Sequence, residues 1–295
     1  MIKFNSSKIL IPVDFSKTSI KAIKHAAFIA KVNKGELILL NVQKKNELID
    51  VILPALKLKN TSAITDFLGE KLEKLAQGIR KEYGIKVTSL VSLGHITSEI
   101  VDIAKENKVG LIVMGTQGGD SQSSVLLGSN AYRVLTKAHC PVMTVRANTA
   151  DIGYKNIILP IDSSLHTRQK VMATLQFAEK FASKIHVLGV LGKGEESYKH
   201  SLEVILRQIE KLAGKNKLSC TTTIVKSSDS SATIVKFATK HNADLISIMS
   251  DQHGGVSKLL GSFAHHIIND SKTPVLTFKP ESHSETESFS VGGLW

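Results

Sequence analysis

The chain repeats itself once, and this repeat constrains the fold more than any other feature. Four segments of the first half recur in the same order in the second half. The pairs are KILIPVD (8–14) with NIILPID (156–162), IVDIAKENKVGLIVM (100–114) with IVKFATKHNADLISI (234–248), LLGS (126–129) with LLGS (259–262), and PVMTV (141–145) with PVLTF (274–278). A repeat of domain size excludes a solenoid of short units. The 295 residues suit two domains of about 150 residues each.

Within each half, short apolar runs rich in β-branched residues alternate with helical patterns. In the first half we predict strands at Ile9–Val13, Glu36–Val42, Lys86–Val91, Leu111–Gly115 and Val142–Arg146, and helices at Ser16–Asn33, Thr65–Tyr83, Thr97–Asn107 and Ser129–Lys137. In the second half we predict strands at Asn156–Ile161, Lys184–Val190, Ser219–Val225, Asp244–Met249 and Val275–Phe278. Continuously apolar strands are typical of parallel sheets covered on both faces. The pattern predicts an α/β fold of two tandem Rossmann-like domains, each a five-stranded parallel sheet with helices on both faces.

The expected domains are residues 1–147 and 154–280, separated by the stretch ANTADIGY. Residues 281–295 are polar and acidic and end in Gly-Gly-Leu-Trp, which favours a disordered tail. No apolar run approaches the ~20 residues of a membrane helix. Residues 1–5 lack the features of a signal peptide. We therefore expect a cytoplasmic protein with no membrane partner.

The net charge of +12 favours anionic partners such as nucleotides. Lysines are scattered, however, and aromatic residues make up only 5%, so the stacking platform of a single-strand nucleic-acid binder is not indicated. We expect no specific nucleic-acid partner. Cys140 and Cys220 form no metal-spaced pair, and adjacent His265 and His266 point ~100° apart on a helix. No metal site is predicted.

One loop of the first half combines glycines with a following helix. Residues 111–130 read LIVMGTQGGDSQSSVLLGSN, a buried strand followed by a Gly- and Ser-rich loop and a helix from Ser129, a good N-cap residue. Ligands of open α/β sheets bind beyond the carboxyl ends of the strands, and helix N-termini suit phosphate. The loop has neither the Lys of a Walker A motif nor the spacing of a dinucleotide fingerprint. A plain strand-to-helix turn with flexible filler is the alternative.

The spacing Gly115-x2-Gly118-x9-Gly128-Ser129 resembles the ATP-binding motif of universal stress proteins. The resemblance extends to IPVD in the first strand, LLNV in the second and PV in the last, and it covers nearly the whole chain, once per half. It implies a tandem universal stress protein that binds an adenine nucleotide, ATP or AMP, with or without Mg²⁺. The site that it implies consists of Pro12, Val13, Asp14, Val42, Met114, Gly115, Thr116, Gly118, Gly128, Ser129 and Asn130.

In the family, the aspartate at Asp14 contacts the nucleoside, Pro12 and Val13 lie near the adenine, and the backbone at Val42 reads the adenine edge. The glycine loop holds ribose and phosphates. For Asp14, capping of the following helix is the alternative role. Family loops often carry a basic residue or a histidine where this chain has Gln117 and Gly119, and the acidic Asp120 follows here. Its charge would lower the affinity for a triphosphate unless Mg²⁺ bridges the two, which favours AMP.

The second copy has lost most of this motif. Met249 stands in the place of Gly115 and Gln252 in that of Gly118, whereas Gly261, Ser262 and Asp162 remain. We therefore expect that the second domain does not bind ATP in the family manner. The apolar last strands of the two halves would invite association if left unpaired, so we expect them to pair as an intramolecular pseudo-dimer, with a homodimer as a further option.

The expected function is regulatory, with no catalytic residues assigned. The nucleotide would bias the order and surface shape of the first domain. Two alternatives are a slow ATPase and a scaffold with vestigial sites. Hydrolysis needs charge neutralisation at the γ-phosphate, and the loop at 115–130 contains neither lysine nor arginine.

Overall fold

In the computed structural model, the described residues are 4–44, 61–116, 127–149, 152–164, 166–250 and 260–280. The first half contains β1 (Lys8–Pro12), α1 (Lys17–Asn33), β2 (Glu36–Gln43), α2 (Thr61–Tyr83), β3 (Lys86–Leu93), α3 (Ile96–Glu106), β4 (Leu111–Gly115), α4 (Ser129–Lys137) and β5 (Val142–Val145). The second contains β6 (Asn156–Ile161), α5 (Val171–Phe181), β7 (Lys184–Leu191), α6 (Lys199–Lys215), β8 (Cys220–Lys226), α7 (Ser230–Lys240), β9 (Leu245–Met249), α8 (Ser262–Asp270) and β10 (Val275–Phe278). The predicted tail at 281–295 lies outside the described residues.

The described strands form one sheet in the order β3-β2-β1-β4-β5-β10-β9-β6-β7-β8. Within each half, neighbouring strands are parallel. The α/β, Rossmann-like fold class predicted from the strand–helix alternation is confirmed. Element bounds shift by a few residues: α2, for example, begins at Thr61 where Thr65 was predicted.

The two halves meet through their last strands. β5 and β10 pair antiparallel, with Thr144 opposite Val275 and Met143 opposite Leu276. The last strand of each half thereby gains a partner on its outer side, which removes two apolar edges prone to association. The sequence predicted this pairing, and the arrangement fits a pseudo-dimer within one chain.

Two hydrophobic cores lie on opposite faces of the sheet. Helices α1, α2, α5 and α6 contribute to one core, and α3, α4, α7 and α8 contribute to the other. Each core contains residues of both halves. In α1, the predicted apolar stripe is present, with Ile23, Ala27 and Ala30 buried and Ile20 packed against the same core. Helices therefore cover both faces, as the continuously apolar strands predicted.

Candidate functional site

The carboxyl ends of β1 and β2 lie side by side in the first domain. Pro12 is opposite Leu40, and the Val13 N–H donates to the Leu40 carbonyl at 2.8 Å. This register places Asp14 level with Val42, at the edge where ligands of such sheets bind. Val13 is buried, whereas Asp14 is exposed. The residues predicted to bind a nucleoside, Pro12, Val13, Asp14 and Val42, thus lie at the ends of two neighbouring strands.

Asp14 organises the turn that leads into α1. Its Oδ1 accepts the Ser16 N–H at 3.0 Å and the Ser16 hydroxyl at 2.6 Å. Ser16 is the N-cap of α1, because its Oγ accepts the Ser19 N–H at 3.2 Å. The alternative role predicted for Asp14, support of the helix start through an Asp-x-Ser turn, is therefore present: Ser16 caps α1, and Asp14 holds Ser16. The Asp14 carboxylate is left at the exposed edge, held in orientation by the turn.

Asn41 is a buried polar residue that the sequence reasoning missed. Its Nδ2 donates to the Val13 carbonyl at 2.6 Å, and its Oδ1 accepts from Gln43 Nε2 at 2.8 Å. The side chain ties β2 to the segment that ends in Asp14. The sequence did contain a signal for this role, an asparagine within the apolar run LILLNVQ. A polar side chain buried in such a strand is expected to have a hydrogen-bond partner.

Gly115 permits close packing between β4 and α1. A Cβ at this position would lie 2.8 Å from both Cβ and Oγ1 of Thr18 and 3.1 Å from its carbonyl carbon. The sequence reasoning attributed this glycine to the approach of an anion to the backbone. The structure supplies a different reason, the contact with buried Thr18. Met114, the preceding residue, is buried in the core.

The N-terminus of α4 is held beside the end of β4. The Gly128 N–H donates to the Thr116 carbonyl at 2.7 Å, and the Thr116 N–H donates to the Val145 carbonyl at 3.0 Å. Gly128 is the N-cap of α4, with φ −62° and ψ 148°. The prediction that Ser129 caps this helix is wrong, because Ser129 is its first residue. Its side chain is exposed, and Asn130 is half-buried. The first N–H groups of α4 need partners from outside the helix.

The middle of the predicted phosphate loop, including Gly118 and Asp120, lies outside the described residues. The described part of the site therefore consists of two groups. Asp14, Val13, Pro12 and Val42 form the strand-end group. Gly115, Thr116, Gly128, Ser129 and Asn130 form the group at β4 and α4. Thr18 connects the two groups: it lies directly against Gly115, and its Oγ1 lies 2.9 Å from the Ser16 hydroxyl, which donates to Asp14.

The corresponding strand ends of the second domain carry different residues. The Gly261 N–H donates to the Ser250 carbonyl at 2.9 Å, which matches the bond between Gly128 and Thr116. At the position of Gly115, however, Met249 is buried with 1% of its surface exposed. Its side chain occupies space that the first domain leaves to a glycine. Gln252 lies outside the described residues.

A cavity of about 270 Å³ opens at these strand ends. Lys170 lines it and donates to the Thr167 carbonyl at 2.9 Å. Removal from water lowers the pKa of Lys170 to about 8, although the nearby Asp162 opposes this shift. Asp162 and Glu195 also line the cavity. Two carboxylates beside one ammonium group disfavour a polyphosphate.

The histidine pair at the start of α8 is split between two environments. His265 is half-buried against the Tyr132 ring, with ring centroids 6.2 Å apart, and His266 is exposed. The described segments contain no group of three or more histidine, cysteine, aspartate or glutamate residues placed to hold a metal ion. Both cysteines are free, Cys140 buried and Cys220 half-buried.

The fold and the repeated strand-end geometry define a tandem protein of two Rossmann-like α/β domains. The chain belongs to the universal stress protein family: the model of that family matches residues 5–146 and 153–279. The two-domain resemblance predicted from the sequence is thereby confirmed.

Two universal stress proteins of Methanocaldococcus jannaschii are similar to this chain. One is 37% identical over 142 residues, which cover 47% of this chain and 81% of the relative. The other is 32% identical over 152 residues, which cover 47% of this chain and 94% of the relative. Each therefore matches about half of the present chain, consistent with the repeat.

A crystal structure of a universal stress protein from Archaeoglobus fulgidus has a similar fold over nearly the whole chain. The TM-score is 0.74 at 22% identity, and the match covers 94% of this chain and 99% of that one. The likeness thus extends over both halves of the sheet. None of the helices in the described segments is long and apolar enough to cross a membrane.

Proposed function

We propose that the first domain binds an adenine nucleotide, ATP or AMP, and that the protein acts as a cytoplasmic, regulatory stress-response protein. The proposed units are a nucleotide-binding domain at 1–147 and a degraded second domain at 154–280, paired as an intramolecular pseudo-dimer. The nucleotide would act by biasing the conformation of the first domain.

The observation that carries the proposal is the hydrogen bond between Gly128 N–H and the Thr116 carbonyl. It holds the N-terminus of α4 next to the carboxyl end of β4. Helix N-termini present unpaired N–H groups and a positive dipole end, which suit phosphate. The exposed carboxylate of Asp14, an acceptor for ribose hydroxyl groups, follows the neighbouring strand β1, which pairs with β4. Hydrogen-bond donors for phosphate and a hydrogen-bond acceptor for ribose at one edge of the sheet fit a nucleotide.

Calorimetric titration with ATP, ADP and AMP tests the proposal. We expect Asp14→Ala to weaken binding of all three at least tenfold, because a hydrogen bond to a charged group contributes about 1.5–3 kcal/mol. Asp162→Ala is the matched control, since Asp162 holds the corresponding turn in the second domain by accepting the Ser164 N–H at 2.8 Å. It should leave the affinity unchanged.

Gly118→Val tests the loop itself and should also abolish binding of the phosphorylated ligands. Phosphate release is followed in the same samples. No binding at millimolar nucleotide would overturn the proposal in favour of the scaffold. Turnover that persists after repurification and disappears in Gly118→Val would instead identify a slow ATPase. Titrations with and without Mg²⁺ show whether the metal ion assists triphosphate binding.

A further inference from the structure

The second domain reaches across the interface to the start of α4 in the first. The Leu127 N–H, which directly precedes the N-cap Gly128, donates to Asn269 Oδ1 at 2.7 Å. Asn269 belongs to α8 of the second domain. Two successive N–H groups at the entry to α4 are therefore fixed from two directions. Gly128 is held by its own domain through Thr116, and Leu127 is held by the other domain.

Asn269 is itself held firmly in place. It is 8% exposed, and its backbone carbonyl accepts a hydrogen bond from the Arg146 guanidinium, at the end of β5. Its Nδ2 lies 3.3 Å from His265 Nδ1. The His265 ring in turn packs edge-on against Tyr132 of α4. Contacts at both ends of the side chain and at the backbone leave Asn269 little freedom to follow a displaced Leu127.

The contact is asymmetric between the two copies. Ser129–Lys137 and Ser262–Asp270 are corresponding helices of equal length, so Thr136 occupies in α4 the place that Asn269 occupies in α8. The Thr136 hydroxyl donates to the Arg133 carbonyl within its own helix. In the described segments, the helix entry held by such a contact belongs to the domain that keeps the glycine motif.

We infer that Asn269 is a positioning residue for the phosphate subsite of the first domain, and that the degraded second copy supplies it. This inference rests on the proposed function. Asn269 acts through Leu127. By holding Leu127, it fixes the orientation of the turn that leads into α4, and with it the direction of the first N–H groups of that helix. The strand pair β5–β10 supports the contact, because it sets the distance between the two domains.

The test compares phosphorylated and unphosphorylated ligands. In Asn269→Ala we expect the affinities for AMP and ATP to fall roughly three- to tenfold, as for loss of one hydrogen bond. The affinity for adenosine should be unchanged, because the strand-end group at Asp14 and Val42 is not displaced. Thr136→Ala, at the corresponding position of α4, is the matched control and should change neither affinity. A purely structural role of Asn269 would instead lower the affinity for all three ligands together.

Amide hydrogen exchange of the peptide that contains Leu127 provides a second readout that needs no ligand. Exchange should be faster in Asn269→Ala and near wild type in Asn269→Asp, which keeps the acceptor oxygen. If Asn269→Ala does not fold, Asn269→Gln serves instead, because its longer side chain displaces the same acceptor. If the folded variant binds AMP as tightly as the wild type does, this inference is overturned and the proposed function is not. Absence of nucleotide binding by the wild type would overturn the proposed function and this inference with it.

Discussion

His25 is a buried histidine whose environment favours the neutral ring. It is 1% exposed, and its Nδ1 lies 2.7 Å from the Tyr154 hydroxyl. Among the described residues, Nε2 has no hydrogen-bond partner. Removal from water, with a smaller contribution from Lys21, lowers the pKa of His25 from 6.5 to about 4. Protonation would place a cation among apolar side chains.

This environment predicts an acid-sensitive fold. The unfolded chain takes up the His25 proton near pH 6.5 and the folded chain only near pH 4, so the unfolded state binds more protons between these values. The contribution of His25 to the free energy of unfolding should therefore fall by about 3 kcal/mol as the pH drops through this range. Urea unfolding at pH 7 and pH 5 measures most of the effect.

His25→Gln removes this titration and should flatten the pH dependence by about 2 kcal/mol between pH 7 and pH 5. His139→Gln, at an exposed position, is the control and should keep the wild-type slope. A His25→Gln variant as pH-sensitive as the wild type would contradict the assignment.

At the level of elements, the packing of α1 on β4 depends on one glycine. Gly115→Ala would bring a Cβ to 2.8 Å from the Thr18 side chain, closer than such contacts allow. We expect the free energy of unfolding to fall by about 1–3 kcal/mol, as for other overpacked sites. Gly69→Ala in α2, where nothing lies within 4 Å, is the control and should raise stability by about 0.5–1 kcal/mol.

Nucleotide titration of the same variant separates two reasons for the glycine. Reduced stability with retained affinity identifies helix packing as the dominant reason. Unchanged stability with lost affinity would contradict the packing argument and restore the original interpretation, in which the glycine admits phosphate to the backbone.

At the scale of the whole molecule, Tyr154 joins the two halves. This residue follows the first domain, is completely buried and packs between α1 and α5. Its ring centroid lies 5.1 Å from that of Phe181 and 5.2 Å from that of Phe177, both in α5. On the α1 side, the centroid of Phe28 is 6.2 Å away. The predicted boundary at 147–154 thus ends in an anchor shared by both domains.

Removal of this anchor should destabilise both halves together. For Tyr154→Ala we expect a loss of about 3–5 kcal/mol in the free energy of unfolding, as for other large aromatic residues in cores. Tyr198→Ala, at a residue that is 53% exposed, should change stability by less than about 0.5 kcal/mol. Fluorescence and circular dichroism unfolding curves should coincide in the wild type. A loss confined to one of two separate transitions would show that the halves fold independently.

Much of the fold was accessible from the sequence, because periodicity and repeats are local signals. The strand ends at Asp14 and Val42 and the start of α4 at Ser129 were predicted to within a residue or two. The sequence assigned the N-cap of α4 to Ser129, whereas the structure assigns it to Gly128. Residue preference alone does not fix the first residue of a helix to within one position. Asn41 was missed because its role depends on the Val13 carbonyl, which lies next to it only once β1 and β2 have paired.

The sequence by itself determined the tandem repeat, the alternation of strands and helices, the apolar last strands and the loss of the glycine motif in the second copy. All of these are recorded in residue order and spacing. Only the tertiary structure decided that Thr18 requires a glycine at 115, that Tyr154 is buried between the halves, and that Asn269 holds Leu127. These contacts join residues far apart in the chain, so that neither partner alone carries a signal of the other.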